Sequence, residues 1–244
     1  MCMIKAPTIM KQNPLIMAEF EKAFSEVDHD VINILLHELQ NEYSLDGSRM
    51  DLFNYSKILD RKVVIPAKKF KDLGRFGKNS RENIYQSLKK ISDTSATIRD
   101  FRDHNNKWIY AQNVRIIDGA KHYSLTEDNR EQAFEVQFNE WFLQIATKQF
   151  NIQVGNYTKI EIEKVSEVKG KHAKKLFELL QSKQFRETSF SMPLAKLQKI
   201  FNLEDKDFSY MVRIIKTNAP KVNKAIPFTF EPFKADKLIS FSFL

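Results

Sequence analysis

Apolar residues recur at helical spacing along three segments of the first half of the chain. From about Ala18 to Glu42, apolar side chains three and four positions apart form one stripe, which predicts a helix with a single buried face. The same spacing predicts a short helix through Phe70 and Leu73 and a longer one from about Asn79 to Ile91. The β-branched run at residues 62–65 ends at a proline and predicts a short strand ahead of these two helices.

The hydrophobic period then changes from helical spacing to alternation. Strands are predicted from Thr97 to Phe101 and from Trp108 to Ile117, with the polar tract at residues 103–107 as the turn between them. A third alternating run, Phe134–Phe138, adds another strand. This order of elements, helices followed by a hairpin, is the one expected of a winged helix. Periodicity alone leaves the strand topology open.

The same order of elements recurs in the second half. Helices are predicted from Tyr157 to Val168, from Lys171 to Ser182, from a first turn containing Pro193, and from about Asp207. Alternating segments at residues 227–230 and 238–244 predict a closing hairpin with its tip at residues 234–237. The sequence therefore predicts an α+β fold of two tandem winged-helix domains, residues 1–150 and residues 151–244, related as a structural repeat.

Composition fits ordinary globular units. The 244 residues are 42% hydrophobic and 29% charged, and 20 of them are Phe, so a core can be buried. Cys2 is the single cysteine, which excludes a disulfide framework within one chain and fits a reducing cytoplasm. No apolar run of about 18 residues predicts a membrane span, and the N-terminal residues lack the apolar core of a signal peptide.

Positive charge is concentrated in the second half. The formal net charge is +8; residues 1–150 hold 22 Lys and Arg against 21 Asp and Glu, whereas residues 151–244 hold 17 against 10. This asymmetry favours a polyanionic partner, such as nucleic acid, for the second half. A basic surface without any partner would give the same count.

The segment Asp207–Asn218 has the clearest functional pattern. Its apolar residues form one core-facing stripe, which leaves an outward face of Ser209, Tyr210, Arg213 and Lys216. Such a helix suits the DNA major groove, where arginine can contact guanine with two hydrogen bonds. Lys216 and Lys221 would neutralise phosphates. An ordinary amphipathic surface helix has the same stripe, but the position ahead of a hairpin tipped by Lys234 and Lys237 favours DNA binding.

Two more basic clusters are candidate phosphate contacts. One covers a predicted turn and helix of the first half, where the candidates are Lys78, Ser80, Arg81 and Lys89, and where backbone N–H groups at the helix start also attract phosphate. The other opens the helix at residue 171, where Lys171, Lys174 and Lys175 oppose the helix dipole, so local helix stability does not explain them. Solvated surface charge is the alternative for both clusters.

No residue pattern indicates catalysis. The chain lacks the G-x-x-x-x-G-K-[ST] phosphate loop, so ATP hydrolysis is not expected. The five histidines are widely spaced, and none forms the histidine–hydrophobe–histidine pair that would hold a metal beside a nicking tyrosine. We therefore expect a non-enzymatic protein without a cofactor or a metal site.

Several hydrophobic motifs carry a family resemblance. They are Tyr157-Thr158, Lys171–Leu180, Phe190–Ile200, the helix at residues 207–218 and the closing Ile239–Phe243. Together they resemble the iteron-binding replication initiator (Rep) proteins of plasmids, and Asn13–Ile16 is similar to the N-terminal lead-in of that family. The resemblance covers most of the chain and is strongest over residues 157–244. Lys171 and His172 depart from it, because small residues are commoner there.

The resemblance implies a protein that binds direct repeats in double-stranded DNA at a plasmid origin as a monomer. It would aid duplex opening and recruit host replication proteins such as a helicase or initiator, while a homodimer would repress its own promoter or hold origins together. The helix at residues 207–218 would read the major groove, and the first domain would contact the DNA backbone and mediate dimerisation. The alternatives are a transcriptional regulator, a rolling-circle nicking enzyme, which the missing histidine pair disfavours, and a structural interaction protein that binds no DNA.

Overall fold

Helices and strands are interleaved along the chain. The structure is a computed structural model that describes residues 7–42, 62–73, 80–102, 108–126, 131–146 and 157–244. Its helices are α1 Asn13–Ile16, α2 Glu26–Glu42, α3 Ala67–Leu73, α4 Ser80–Ser92, α5 Glu140–Ala146, α6 Ile162–Glu167, α7 Lys171–Gln181, α8 Leu194–Phe201 and α9 Phe208–Val222. Its strands are β1 Thr8–Gln12, β2 Glu19–Phe20, β3 Lys62–Pro66, β4 Ser95–Arg102, β5 Trp108–Arg115, β6 Ile117–Ser124, β7 Gln132–Phe138, β8 Tyr157–Glu161, β9 Ser189–Pro193, β10 Phe228–Phe233 and β11 Leu238–Phe243.

The first winged-helix unit combines α2, α3 and α4 with three strands. The strands form an antiparallel sheet in the order β3-β7-β6, with Ile65 opposite Phe134. Phe134 packs edge-on against Phe70 of α3, with ring centroids 5.5 Å apart, and both side chains are fully buried. The alternating residues of β7 therefore form the inner face of this sheet. The hairpin β6–β7 follows the helices and is the wing of this unit.

The hairpin predicted at residues 97–117 is present, but it belongs to a different sheet. β4 pairs with β5 and with the two-residue strand β2, in the order β2-β4-β5. The single strand predicted from Trp108 to Ile117 is divided, because β5 ends at Arg115 and β6 of the wing begins at Ile117. Ile116 and Ile117 are both buried, so no polar turn marks the crossing between the sheets. The predicted turn at residues 103–107 lies outside the described residues.

The second winged-helix unit repeats the layout of the first. α7, α8 and α9 are followed by the hairpin β10–β11, and β9 pairs with β11 to give the order β10-β11-β9. In both units, the strand between the first two helices pairs with the second strand of the wing. Phe190 of β9 stacks on Phe241 of β11, with ring centroids 5.0 Å apart. The predicted fold of two winged helices is confirmed.

A two-stranded sheet joins the two halves of the chain. β1 pairs antiparallel with β8 and places Ile9 opposite Ile160. The predicted helix from Tyr157 to Val168 is wrong at its start, since residues 157–161 form β8 and only α6 is helical. β8 depends on backbone partners from the N-terminal end, which local periodicity does not reveal. The predicted domain boundary at residues 150 and 151 lies outside the described residues, and the domain division stays a prediction.

The start of α2 is set by a cap. Helical spacing predicts a start near Ala18, but residues 19–20 form β2 and the helix begins at Glu26. The backbone N–H of Ser25 donates to Asp28 Oδ2 at 2.6 Å, and the backbone N–H of Asp28 donates to Ser25 Oγ at 3.2 Å. This reciprocal pair satisfies two backbone donors at the helix start and fixes where the helix begins.

Candidate nucleic-acid interface

α9 has a buried back and an exposed outer face. Met211, Ile215 and Val222 on its inner side are fully buried. The helix starts where the side chain of Asp207 accepts a hydrogen bond from the backbone N–H of Tyr210 at 2.7 Å. It continues to Val222, about one turn beyond the predicted end at Asn218.

The predicted outward residues of α9 are on the surface. Ser209, Arg213 and Lys216 are exposed and Tyr210 is half-buried. The guanidinium of Arg213 lies over the Tyr210 ring, 4.7 Å from its centroid, and the ammonium of Lys206 lies 5.6 Å from the same centroid. Because the ring already orders the guanidinium, Arg213 has less side-chain freedom to lose when it binds a planar acceptor.

A shallow cleft opens at the N-terminal end of α9. It encloses about 490 Å³ and is lined by Asp205, Lys206, Asp207, Ser209, Tyr210 and Arg213. Both of its carboxylates have partners, since Asp207 caps α9 and Asp205 pairs with Lys206 at 2.5 Å. The hydrogen bond from Lys206 lowers the pKa of Asp205. The acidic groups of the cleft are therefore engaged and do not cover the outer face of α9.

The wing of the second unit has cations at its tip. Lys234 and Lys237 are exposed in the turn between β10 and β11. The backbone carbonyl of Lys237 accepts a hydrogen bond from the N–H of Leu194 at 2.8 Å, which ties this turn to the start of α8. Lys237 has a φ of 51°, a conformation that glycine adopts with less strain. Lys221, near the end of α9, is also exposed.

The first unit presents a second basic helix face, on α4. Arg81 and Lys89 are exposed, while Ile84, Leu88 and Ile91 are fully buried, as predicted. A cleft of about 400 Å³ lies beside α3, the start of α4 and the wing, and its lining includes Lys68, Lys71 and Arg81. Lys78 and the side chain of Ser80 lie outside the described part of the chain.

Lys174 and Lys175 are buried, which corrects the expectation that they contact phosphate. The ammonium of Lys174, 0% exposed, pairs with Asp30 Oδ1 of α2 at 2.5 Å and donates to the backbone carbonyl of Val165 at 3.0 Å. The ammonium of Lys175 donates to the backbone carbonyl of Ile16 at 2.7 Å. Of the three lysines predicted as phosphate contacts in this helix, Lys171 alone is exposed. The helix turns the other two inward, toward Asp30 of α2 and Ile16 of α1.

A second buried ion pair lies between the same two helices and β1. Both carboxylate oxygens of Glu178 accept hydrogen bonds from the ammonium of Lys11 at 2.8 Å, and Oε1 also accepts one from Asn33 at 3.3 Å. Burial alone would raise the pKa of Glu178, but the charges of Lys11, His29 and Lys175 and the hydrogen bond from Lys11 together outweigh it and lower the pKa to about 2. Sequence reasoning missed this cluster because its members are far apart in the chain, and each occupies a position that also suits surface charge.

Burial also changes the pKa values of three groups near these pairs. Burial raises the pKa of Asp30 to about 6, against the attraction of Lys174. Burial lowers the pKa of His29 in α2 to about 3. Burial, together with the charges of Lys171 and Lys221, lowers the pKa of His172 in α7 to about 4. The two histidines line one small cavity between the units, and both are neutral at neutral pH.

The described residues contain neither a metal-binding cluster nor a membrane-spanning helix. No three His, Cys, Asp or Glu side chains in the described ranges come together as a metal site would require. Among the described helices, none combines the length and the apolar character needed to cross a membrane.

The repeated layout and the basic helix face in each unit define a tandem winged-helix protein. The chain belongs to the initiator replication protein family, because the family model described as "Initiator Replication protein, WH1" matches residues 8–181. The resemblance to replication initiators that the sequence indicates is thereby confirmed.

Solved structures share this fold. The crystal structure of the Pi initiator protein in complex with iteron DNA is similar at a TM-score of 0.58 and 14% sequence identity, covering 98% of this chain and 97% of that chain. The crystal structure of domains 2 and 3 of RctB is similar at a TM-score of 0.53 and 9% identity, covering 89% of this chain and 82% of that chain. At these identities the similarity concerns the fold. A search of curated proteins finds no match.

Proposed function

We propose that this protein is a plasmid replication initiator that binds repeated double-stranded DNA sites, or iterons, at its origin. The observation that carries the proposal is the exposed outer face of α9, with Arg213 and Lys216, on a helix whose inner side is anchored by the fully buried Met211, Ile215 and Val222. The family supports replication initiation, and the fold shared with an initiator crystallised on iteron DNA supports the binding mode.

In the proposed complex, α9 lies in the major groove. Arg213 donates paired hydrogen bonds to a guanine, and Ser209 and Tyr210 contact the neighbouring bases or the backbone. Lys216 and Lys221 neutralise phosphates along the groove. The remaining phosphate contacts of the second unit come from Lys171 and from the wing residues Lys234 and Lys237.

The first unit has a supporting role in this proposal. α4 contacts the DNA backbone through Arg81 and Lys89, and Lys78 and Ser80 near its start belong to the same proposed surface. The unit also mediates dimerisation. Phosphate contacts fix the register of a protein on the duplex but carry no sequence information of their own. The first unit therefore adds affinity and orientation, and α9 supplies most of the specificity.

The protein acts by binding and not by bond chemistry in this proposal. As a monomer on the repeats it aids opening of the origin and brings in a host helicase or initiator. As a homodimer it represses its own promoter. Because the same surface binds DNA in both forms, the balance between monomer and dimer sets the balance between initiation and repression.

A mobility-shift assay tests the proposal on DNA that flanks the protein's own gene. Duplexes containing direct repeats should bind at least about a thousandfold more tightly than scrambled duplexes at physiological salt. Equal affinity for both would contradict sequence-specific initiation.

A plasmid whose single origin is this repeat region should replicate only when the protein is supplied. Binding without replication would favour a transcriptional regulator.

Arg213→Ala tests the proposed base contact. It should reduce the preference for the repeat over scrambled DNA by about 1–3 kcal/mol, because one pair of hydrogen bonds to a base is lost. Lys164→Ala is the matched control, since Lys164 is an exposed cation on α6 that pairs with Glu161 at 3.0 Å and lies outside the proposed surface. An unchanged preference in Arg213→Ala would remove this residue from the interface.

A further inference from the structure

Four helices connect the two proposed DNA-contacting faces in series. α4, with Arg81 and Lys89, packs on α2, and α9, with Arg213 and Lys216, packs on α7. α2 and α7 are the first helices of the two units, and they contact each other. The distance and rotation between the faces of α4 and α9 therefore depend on how α2 sits on α7.

The contact between α2 and α7 is held by buried ionic groups. Lys174 of α7 pairs with Asp30 of α2 at 2.5 Å, and the exposed fractions of the two side chains are 0% and 4%. Glu178 of α7 accepts a hydrogen bond from Asn33 of α2 at 3.3 Å. At the start of α7, the backbone N–H of Gly170 donates to Glu26 of α2 at 2.8 Å. These contacts follow the facing sides of both helices.

Buried ionic contacts restrict relative movement more than apolar contacts do. Apolar side chains can slide past each other and keep much of their buried area, since the hydrophobic effect is non-directional. A shift of one helical turn, about 5.4 Å, would separate Lys174 from Asp30 and leave two charges unpaired in a water-excluded site. The penalty for an unpaired buried charge makes one relative position of α2 and α7 strongly preferred.

We propose that Lys174 and Asp30 are positioning residues that set the spacing between the two DNA-contacting faces. The protein then selects sites whose two parts are separated by one fixed number of base pairs. This inference rests on the proposed function, and it goes beyond it by assigning the spacing preference to a buried pair that touches no DNA. The pair acts through α2 on α4 and through α7 on α9.

The test uses the regular rise and twist of the DNA helix to measure the spacing. Each inserted base pair moves the second part of a site by about 3.4 Å and rotates it by about 35° around the helix axis. Two inserted base pairs therefore displace it by about 7 Å and 70°, more than a fixed pair of faces can follow. Footprinting of the wild-type protein first identifies the segments protected by each unit, and the insertions are placed between them.

The experiment compares binding to the native and the two-base-pair-insertion sites. The wild-type protein should bind the insertion site at least about tenfold more weakly than the native site. This loss equals the cost of about one mismatched base pair. In Lys174→Met the loss should be less than about threefold, because the faces are no longer held at one spacing. Lys174→Met combined with Asp30→Leu should recover the stability lost in the single variant, since two apolar side chains can pack across the same contact. It should keep the relaxed spacing, because an apolar contact is non-directional.

Two further variants keep the test decisive. Asp30→Asn keeps the shape and a hydrogen-bond acceptor but removes the charge, so it should relax the spacing preference even where Lys174→Met is too unstable to purify. Lys183→Met is the matched control. Lys183 follows α7, and its ammonium lies 2.8 Å from the carboxylate of Glu187 and does not pair with Asp30. It should keep the wild-type preference.

The outcomes separate the inference from the proposed function. The spacing role would be overturned if folded Lys174→Met and Asp30→Asn proteins lost as much affinity on the insertion site as the wild type does. It would also be overturned if the wild-type protein bound the insertion site as tightly as the native site. In both cases the proposed DNA binding would stand. A wild-type protein that binds no repeat DNA at all would end the proposed function and this inference together. Relaxed spacing in the two single variants and in the stable double variant, with the wild-type preference kept in Lys183→Met, is the supporting result.

Discussion

Two lysines on the helices of the second unit have opposite surroundings. Lys216 on α9 is exposed, whereas Lys174 on α7 is fully buried beside Asp30. An exposed ammonium keeps its hydration and can exchange it for a phosphate, so it acts on affinity for a polyanion. A buried ammonium has already lost its water and depends on its carboxylate, so it acts on the stability of the fold. The same residue type therefore has different measurable effects at the two positions.

Replacing each lysine by alanine should separate these effects. Lys174→Ala should lower the free energy of unfolding by about 3–5 kcal/mol, because it leaves Asp30 buried without its cation. Lys216→Ala should change it by less than about 0.5 kcal/mol but should reduce the slope of log affinity against log salt by about 1. Urea unfolding and salt titrations of DNA binding measure the two quantities. Equal destabilisation by both substitutions would contradict the burial of Lys174.

At the scale of elements, local patterns predict the helices and distant contacts decide the rest. α4, α7 and α9 are found close to their predicted bounds because their apolar stripes are periodic. β8 is missed because it forms against β1, from the far end of the chain, and β6 is missed because β5 runs into it through buried Ile116 and Ile117. The exposed face of α9 could be predicted from its own stripe. The burial of Lys174 could not, because it depends on α2.

The wing of the second unit gives a prediction about a single element. Lys234→Ala combined with Lys237→Gly should weaken binding to repeat and scrambled DNA by the same factor, since contacts to phosphate carry no sequence information. Glycine is chosen at position 237 because the φ of 51° suits it, so the free energy of unfolding should not fall. Mobility shifts on both duplexes, with urea unfolding alongside, measure these effects. A loss of preference for the repeat would show that the wing reads bases.

At the scale of the whole molecule, the contact between the units contains titratable groups from both. His29 and Asp30 come from α2 of the first unit, and His172 and Glu178 come from α7 of the second. In the unfolded chain each of these groups returns to its ordinary pKa, so the stability of the joined units depends on pH.

Lowering the pH from 7 to 5 should reduce the free energy of unfolding by about 2 kcal/mol. The folded pKa values of His29 and His172, about 3 and 4, lie below the ordinary 6.5, so only the unfolded chain takes up these protons, and stability is lost as pH falls below about 6.5. Asp30 offsets part of this loss, because its folded pKa of about 6 lies above the ordinary 3.8. Glu178, with a folded pKa of about 2 against 4.5, adds a further loss only at lower pH. Urea unfolding at pH 5, 6 and 7 measures the change. His29→Leu should remove more than half of the histidine contribution, because His172 is partly exposed and solvent screening weakens its share. A stability that stays level from pH 7 to pH 5 would mean that the two units do not enclose neutral histidines between them.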